Sequence, residues 1–84
     1  MTNSIFTERY NRFRLLLIEA RTVKDLTQAE LANKLKRPQS FVSKYERGER
    51  RLDVVEFFEV ARALGIDAIA FLNVLYGNTK KGRS

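Results

Sequence analysis

The feature that most constrains this chain is a complete helix-start signal at residues 26–31, Leu-Thr-Gln-Ala-Glu-Leu. Thr27 can accept a hydrogen bond from the backbone N–H of Glu30, and the Glu30 side chain can reach back to the N–H of Thr27. Leu26 and Leu31 have the spacing of a hydrophobic staple across the same turn. A short helix is therefore predicted to begin directly after Thr27.

Helix start and stop signals continue along the chain, whereas the alternation typical of strands is absent. An apolar stripe precedes the capping box, and Asp, Pro and Gly residues delimit the later helices. The predicted helices span 7–22, 28–35, 38–47, the segment between Asp53 and Gly65, and the segment from Asp67 to 76. The inward stripe of the first helix is predicted to be Phe6, Tyr10, Phe13, Leu17 and Ala20, and that of the fourth Val54, Phe57, Phe58, Ala61 and Leu64. Pro38 is expected in the first turn of the third helix, with Gly48 as its left-handed cap.

Composition excludes several classes of site. The 84 residues suffice for one small domain, and they include no cysteine and no histidine. Disulfides, Cys/His zinc sites, thiol catalysis and a histidine base are therefore excluded. The acidic residues are spread as caps and surface charges, so we expect neither an enzyme nor a bound metal or cofactor. No signal peptide or membrane-spanning segment is recognised, and a cytoplasmic protein without membrane contact is expected.

The positive charge is concentrated. The chain carries a net charge of +6, and residues 34–51 alone hold seven basic against two acidic residues. Residues 77–84, predicted to be a disordered tail, add three basic residues. Such a concentration is typical of proteins that bind polyanions, although a solvated basic surface gives the same count.

The third predicted helix has two chemically different faces. Only Lys36 and Arg37 separate it from the second helix, as in a helix-turn-helix. At 100° per residue, one face is polar or basic and the opposite face is mostly apolar. The polar face holds Gln39, Ser40, Ser43, Lys44 and Arg47, and the opposite face Phe41, Val42, Tyr45 and Glu46. Amide, hydroxyl and basic groups suit base edges and phosphates, whereas Phe41 could seal the core or touch a thymine methyl group.

Three segments together resemble one known family. These are the stretch Thr27-Gln-Ala-Glu-Leu-Ala-Asn-Lys-Leu, the stretch Pro38-Gln-Ser-Phe-Val-Ser-Lys-Tyr-Glu-Arg-Gly-Glu-Arg, and the stretch Ala61-Arg-Ala-Leu-Gly-Ile-Asp. They resemble the Cro/C1-type (XRE) helix-turn-helix repressors of phages and bacteria, and the match covers about residues 13–75. The resemblance implies an all-α, five-helix DNA-binding domain, here with an extended N-terminal helix. We assign this domain to residues 1–76, with the helix-turn-helix at about 27–47.

The resemblance also implies roles for individual residues. Base contacts fall on Gln39, Ser40 and Lys44, and phosphate contacts on Gln28, Ser43, Arg47, Arg50 and Arg51. Gln28 is expected to brace Gln39 as well. Arg21 and Glu46 match a structural ion pair that joins the first helix to the third. The chain departs from the family where Lys36 replaces a glycine often found in the turn and where Pro38 replaces a Ser or Thr cap.

The fifth helix is more apolar than one core-facing stripe requires. Its broad apolar band consists of Ala68, Ile69, Phe71, Leu72, Leu75 and Tyr76. We expect a homodimer seam at Ile69, Leu72 and Tyr76, partly on the resemblance, because a two-fold axis presents two recognition helices to a palindromic operator. Alternatively, the first helix covers this band within one chain, through Phe6 and Tyr10.

The leading functional hypothesis is sequence-specific binding of double-stranded DNA by a transcriptional regulator acting as a repressor. A prophage repressor and the controller of a restriction system both fit the residues. The alternative is a protein-interaction module, such as the antitoxin of a toxin–antitoxin pair, with an unknown protein partner. Nonspecific coating of nucleic acid is a third hypothesis, which the two-faced third helix disfavours.

Overall fold

Five helices form the part of the chain that the computed structural model describes, residues 7–77. They are α1 (Glu8–Val23), α2 (Gln28–Leu35), α3 (Gln39–Arg47), α4 (Val54–Leu64) and α5 (Ala68–Leu75). The predicted all-α fold is confirmed. Phe6 and the predicted tail beyond Gly77 lie outside the described residues. Within residues 7–77, no helix combines the length and the apolar character needed to cross a bilayer.

Side-chain caps define where the helices begin. The Thr27 hydroxyl accepts from the Glu30 N–H at 3.0 Å, and the Glu30 carboxylate accepts from the Thr27 N–H at 2.8 Å. Asp53 and Glu56 form a second capping box at the start of α4. Each box provides acceptors for two backbone N–H groups that have no partner within the helix. Because the acceptors lie only three residues away, these helix starts can be predicted from the sequence.

The chain turns sharply both before and after α3. Lys36 ends α2 in the left-handed region at φ 58°, where glycine is usual, and Gly48 ends α3 at φ 84°. Pro38 is the N-cap of α3, with ψ 153°, and not a residue of its first turn as predicted. An extended residue is needed here to reverse the chain direction, and the Pro38 carbonyl still accepts from the Phe41 N–H at 3.0 Å.

The core lies where α1, α2, α3 and α4 meet, and α5 packs across one end of it. Its most deeply buried side chains are Leu17, Leu31, Val42, Tyr45 and Val60. Aromatic rings of α1, α4 and α5 extend it, with Phe13, Phe57 and Phe71 in mutual contact.

The inward stripe of α4 differs from the prediction. Phe57 is buried as predicted, but Val54 is 68% exposed and Phe58 46% exposed, while the unpredicted Val60 is fully buried. A helix of this composition has two overlapping apolar stripes, and the packed neighbours decide which one is covered. Here the neighbouring helices cover the Val60 side, so Val54 and Phe58 remain on the surface together with Val55.

Candidate nucleic-acid interface

The helix α3 presents the polar face predicted from its sequence. Phe41, Val42, Tyr45 and Glu46 are buried, so the ring of Phe41 seals the core edge. On the opposite side, Gln39, Ser40, Lys44 and Arg47 are exposed and Ser43 is half-buried. One helix face therefore offers amide, hydroxyl and cationic groups to a partner.

A side-chain contact joins the start of α2 to the start of α3. The Gln39 amide nitrogen lies 3.5 Å from Gln28 Oε1, a long hydrogen bond, while Gln28 Nε2 donates to Glu46 Oε1 at 2.8 Å. Since the Glu46 carboxylate fixes the Gln28 amide, the Gln28 oxygen is directed at Gln39. The arrangement matches the bracing that the resemblance implies.

The carboxylate of Glu46 is 4% exposed and accepts from α1 as well. Arg21 donates to it through Nε at 2.7 Å and through Nη2 at 3.1 Å, and also to the Leu26 carbonyl at 2.7 Å. The hydrogen bond to Glu46 raises the pKa of Arg21. A paired, partly buried ion pair of this kind fixes orientation more than it adds net stability. It locks α3 to α1.

A second arginine of α1, missed in the sequence analysis, also binds the end of α3. Arg14 donates to the backbone carbonyl of Glu46 and to Asn11 Oδ1. That carbonyl lies in the last turn of α3, where helix carbonyls lack intrahelical partners. Arg14 and Arg21 are seven residues apart and therefore share one face of α1, a spacing that could have pointed to Arg14.

Arg47, on the exposed face of α3, already has an intramolecular partner. Its Nε and Nη2 donate to the Glu49 carboxylate at 2.9 Å and 3.1 Å, and both side chains are exposed. This pair of hydrogen bonds raises the pKa of Arg47 and lowers the pKa of Glu49. Because water competes at such a site, a phosphate can replace Glu49 at little cost.

The next two arginines turn toward the body of the domain. Arg50 donates to both carboxylate oxygens of Glu56, at 3.1 Å and 3.0 Å. Arg51 lies over the ring of Tyr10, with its guanidinium carbon 4.1 Å from the ring centroid. Among the three predicted arginines, only Arg47 therefore lies on the exposed face of α3.

The three residues predicted for a dimer seam have different environments. Ile69 is 59% exposed, whereas Leu72 is half-buried against the core. Tyr76 is exposed, and the guanidinium of Arg9 lies 4.0 Å from its ring centroid. The first helix also contacts the fifth, because Arg12 of α1 donates to the Val74 carbonyl of α5 at 3.2 Å.

The chemistry of the site is that of hydrogen bonding and charge. Among residues 7–77, no group of three or more acidic side chains is arranged so that it could hold a metal ion. The exposed face of α3 can pair with base edges through Gln39 and Lys44 and with backbone phosphates through Arg47.

Comparisons with known proteins point in the same direction. The family model described as helix-turn-helix matches residues 17–71. A solved structure of an XRE-family like protein from Pseudomonas syringae pv. tomato is 51% identical, with a TM-score of 0.81, over 86% of this chain and 88% of that one. No significant match was found among curated proteins.

Two more distant structures share the fold. The restriction-modification controller protein C.Esp1396I, solved as a tetramer with its natural 35 base-pair operator, is 21% identical with a TM-score of 0.78, over 86% of this chain and 95% of that one. The clp gene regulator ClgR from C. glutamicum is 22% identical with a TM-score of 0.74, over 92% of this chain and all of that one. With the family model covering more than half of the sequence, this chain belongs to the Cro/C1-type (XRE) helix-turn-helix family, a family of DNA-binding transcription regulators and not of enzymes.

Proposed function

We propose that this protein binds a specific double-stranded DNA site and represses transcription from it. The observation that carries the proposal is the exposed polar face of α3, held in place by the buried Glu46 and its partners Arg21 and Gln28. A rigid helix of nine residues spans about 13 Å, close to the width of the major groove. Site-specific readout requires such fixed side chains, whereas nonspecific coating does not.

Within this proposal, base and phosphate contacts are divided along α3. Gln39 hydrogen-bonds an adenine edge, Ser40 and Lys44 read neighbouring bases, and Ser43 lies against the backbone. Gln28 and Arg47 bind phosphates at the two ends of the motif. The support is their position on one exposed face and, for Gln28, its contact with Gln39.

Repression follows from occupancy of the operator. Exclusion of polymerase from a promoter that overlaps the bound site is the simplest mechanism. The C.Esp1396I controller protein, which shares the fold, has been solved on its natural operator as a tetramer. We extend to this chain the expectation of an oligomer on a palindromic operator.

We propose that a second copy docks on the exposed apolar patch of α4, formed by Val54, Val55 and Phe58. Glu59 and Arg62 lie in the same shallow groove. A two-fold axis can place Glu59 of one copy opposite Arg62 of the other, so the patch is self-complementary in charge. Ile69 is a further exposed residue for this interface, whereas Leu72 is already half-buried in the core.

The test is selection of bound sequences from random duplex DNA at physiological salt, with the Gln39→Ala/Lys44→Ala variant as a matched control. Both replaced side chains are exposed, so the variant should retain the fold. We expect the wild-type chain to enrich a palindrome with half-sites about 10 bp apart, and the variant to lose that motif. Enrichment without any motif, or the same motif from both proteins, would overturn the assignment.

A further inference from the structure

Two arginines on either side of α3 in sequence converge on one of its buried rings. Arg37 lies in the turn before α3 and Arg50 in the loop after it. Their guanidinium carbons are 4.4 Å and 4.8 Å from the centroid of the Phe41 ring. Cations at these distances are attracted by the ring quadrupole.

Two carboxylates of α4 hold the same arginines from the other side. Glu56 binds Arg50 through two hydrogen bonds and lies 3.7 Å from Arg37, and Glu59 lies 3.4 Å from Arg37. The Glu56 side chain is 12% exposed, so its hydrogen bonds are shielded from water more than those of a surface pair. It also accepts from the Asp53 N–H at 3.0 Å, which fixes it to the start of α4.

We propose that Arg37, Phe41, Arg50, Glu56 and Glu59 form a clamp that sets the orientation of α3 relative to α4, and that Arg37 and Arg50 act as positioning residues for site-specific DNA binding. The inference rests on the proposed function, since it concerns how α3 is presented to a base sequence. The clamp ties both ends of the recognition segment to one helix. It assigns to Arg50 a role other than a phosphate contact.

The geometry favours positioning over phosphate binding for Arg50. Glu56 occupies the Nη1–Nη2 edge of the Arg50 guanidinium with two parallel hydrogen bonds, so the positive charge is paired there. To reach a phosphate, Arg50 would have to give up both of its hydrogen bonds to a partly buried carboxylate. Arg47 has no such penalty, because its partner Glu49 is exposed.

The experiment compares the wild-type chain with the double variant Arg50→Gln/Glu56→Gln. The double variant keeps the wild-type net charge, and glutamine at position 56 can still complete the capping box with Asp53. Binding to the selected duplex and to a random duplex of equal length is measured over a series of salt concentrations. Thermal melts establish the temperature range in which both proteins are folded.

If the clamp positions α3, affinity for the selected duplex falls about tenfold, the scale of one lost base contact. Affinity for the random duplex and the salt slope stay at the wild-type values. The Arg37→Gln variant, at a side chain 35% exposed and outside the proposed dimer groove, tests the same clamp from the turn before α3 and is expected to show the same pattern at a smaller size.

Three results would overturn the inference. An equal loss of affinity for both duplexes would show that Arg50 contacts a phosphate, if the slope of log affinity against log salt concentration also falls in magnitude by about 0.9. Unchanged affinity for both duplexes would show that the cluster only packs. A wild-type chain that selects no sequence would remove the proposed function and this inference with it, and that result does not involve the variants.

Discussion

At the scale of single residues, Glu46 organises the candidate site, since it is the only charged residue that is buried between residues 7 and 77. Its carboxylate binds Arg21 and Gln28, and its backbone carbonyl accepts from Arg14. A buried carboxylate is tolerated only when donors surround it. The same donors connect α1 and α2 to α3, whose exposed polar face is the candidate site.

Replacing Arg21 with alanine should therefore be strongly destabilising. The Arg21→Ala variant leaves the Glu46 carboxylate buried without its cation, and we expect a loss of about 3 kcal/mol in the free energy of unfolding. Chemical denaturation measures it. The Arg21→Ala/Glu46→Ala double variant should lose less than the sum of the single variants, and strict additivity would contradict a coupled pair.

Replacing Gln39 with alanine should affect recognition and not folding, because the side chain is exposed. We expect a cost of about 1–3 kcal/mol in binding to the selected duplex and relaxed preference at one base pair. Fluorescence anisotropy on the selected duplex and its single-base variants provides the measurement. An equal loss on every duplex would argue that Gln39 contacts the backbone.

At the scale of secondary-structure elements, the turn before α3 contains a strained backbone residue, and the loop after α3 is joined to α4 by an ion pair. Lys36 adopts a left-handed conformation with a side chain that disfavours it, and Glu56 completes the capping box of α4 while also binding Arg50. Both residues act at a helix terminus, Lys36 at the end of α2 and Glu56 at the start of α4. Both therefore allow tests in which stability changes with little effect on packing.

The Lys36→Gly variant should be more stable than the wild-type chain. Glycine removes the left-handed strain of about 1–2 kcal/mol, and its greater freedom in the unfolded chain offsets part of the gain. A net increase of about 0.5 kcal/mol in the free energy of unfolding is expected from chemical denaturation. Lys36→Ala makes the same charge change but keeps the strain, so an equal gain in that variant would refute the explanation.

The capping pair at α4 predicts a dependence on pH. The hydrogen bonds from Arg50, followed by the Asp53 N–H, lower the pKa of Glu56 below its usual 4.5 in the folded state. A carboxylate with a lowered pKa contributes stability above about pH 4.5, and this contribution is lost as the pH falls through its folded-state pKa. The difference in melting temperature between wild type and Glu56→Gln should therefore shrink from pH 7 to pH 3. A constant difference would contradict the linkage.

At the scale of the whole molecule, the fold leaves the polar face of α3 and the apolar patch of α4 exposed to solvent. A monomer rarely keeps contiguous apolar side chains exposed without a use for them. The clamp residues Glu56 and Glu59 belong to the same helix as the patch. Docking of a second copy on α4 would thus bear directly on the helix that holds α3.

The Phe58→Asp variant tests the proposed dimer face. A charge at a side chain that is only half covered should not unfold the monomer, but it should abolish pairing through an apolar surface. Sedimentation velocity is expected to give dimers for the wild-type chain and monomers for the variant. Leu15→Asp, at an exposed leucine of α1, is the control and should remain dimeric. A dimeric Phe58→Asp protein would place the interface elsewhere.

The local features of this protein could be predicted from its sequence, because they depend on residues a few positions apart. The Thr27–Glu30 box, the Gly48 cap and the two faces of α3 each depend on such spacing, and all are present in the structure. The Gln28–Gln39 contact was predicted only through the family resemblance. Hydrogen bonds to nearby backbone and helical periodicity need no information about the rest of the chain.

Tertiary structure alone decided which partner each surface receives. Val54 and Phe58 have the spacing of core residues, yet the neighbouring helices cover the side of Val60. Nothing in the sequence pairs Arg50 with Glu56, yet the fold places the carboxylate of Glu56 3.0 Å from the Arg50 guanidinium. Burial and ion pairing depend on which elements meet in space, and periodicity along one helix cannot specify a neighbour that is distant in sequence.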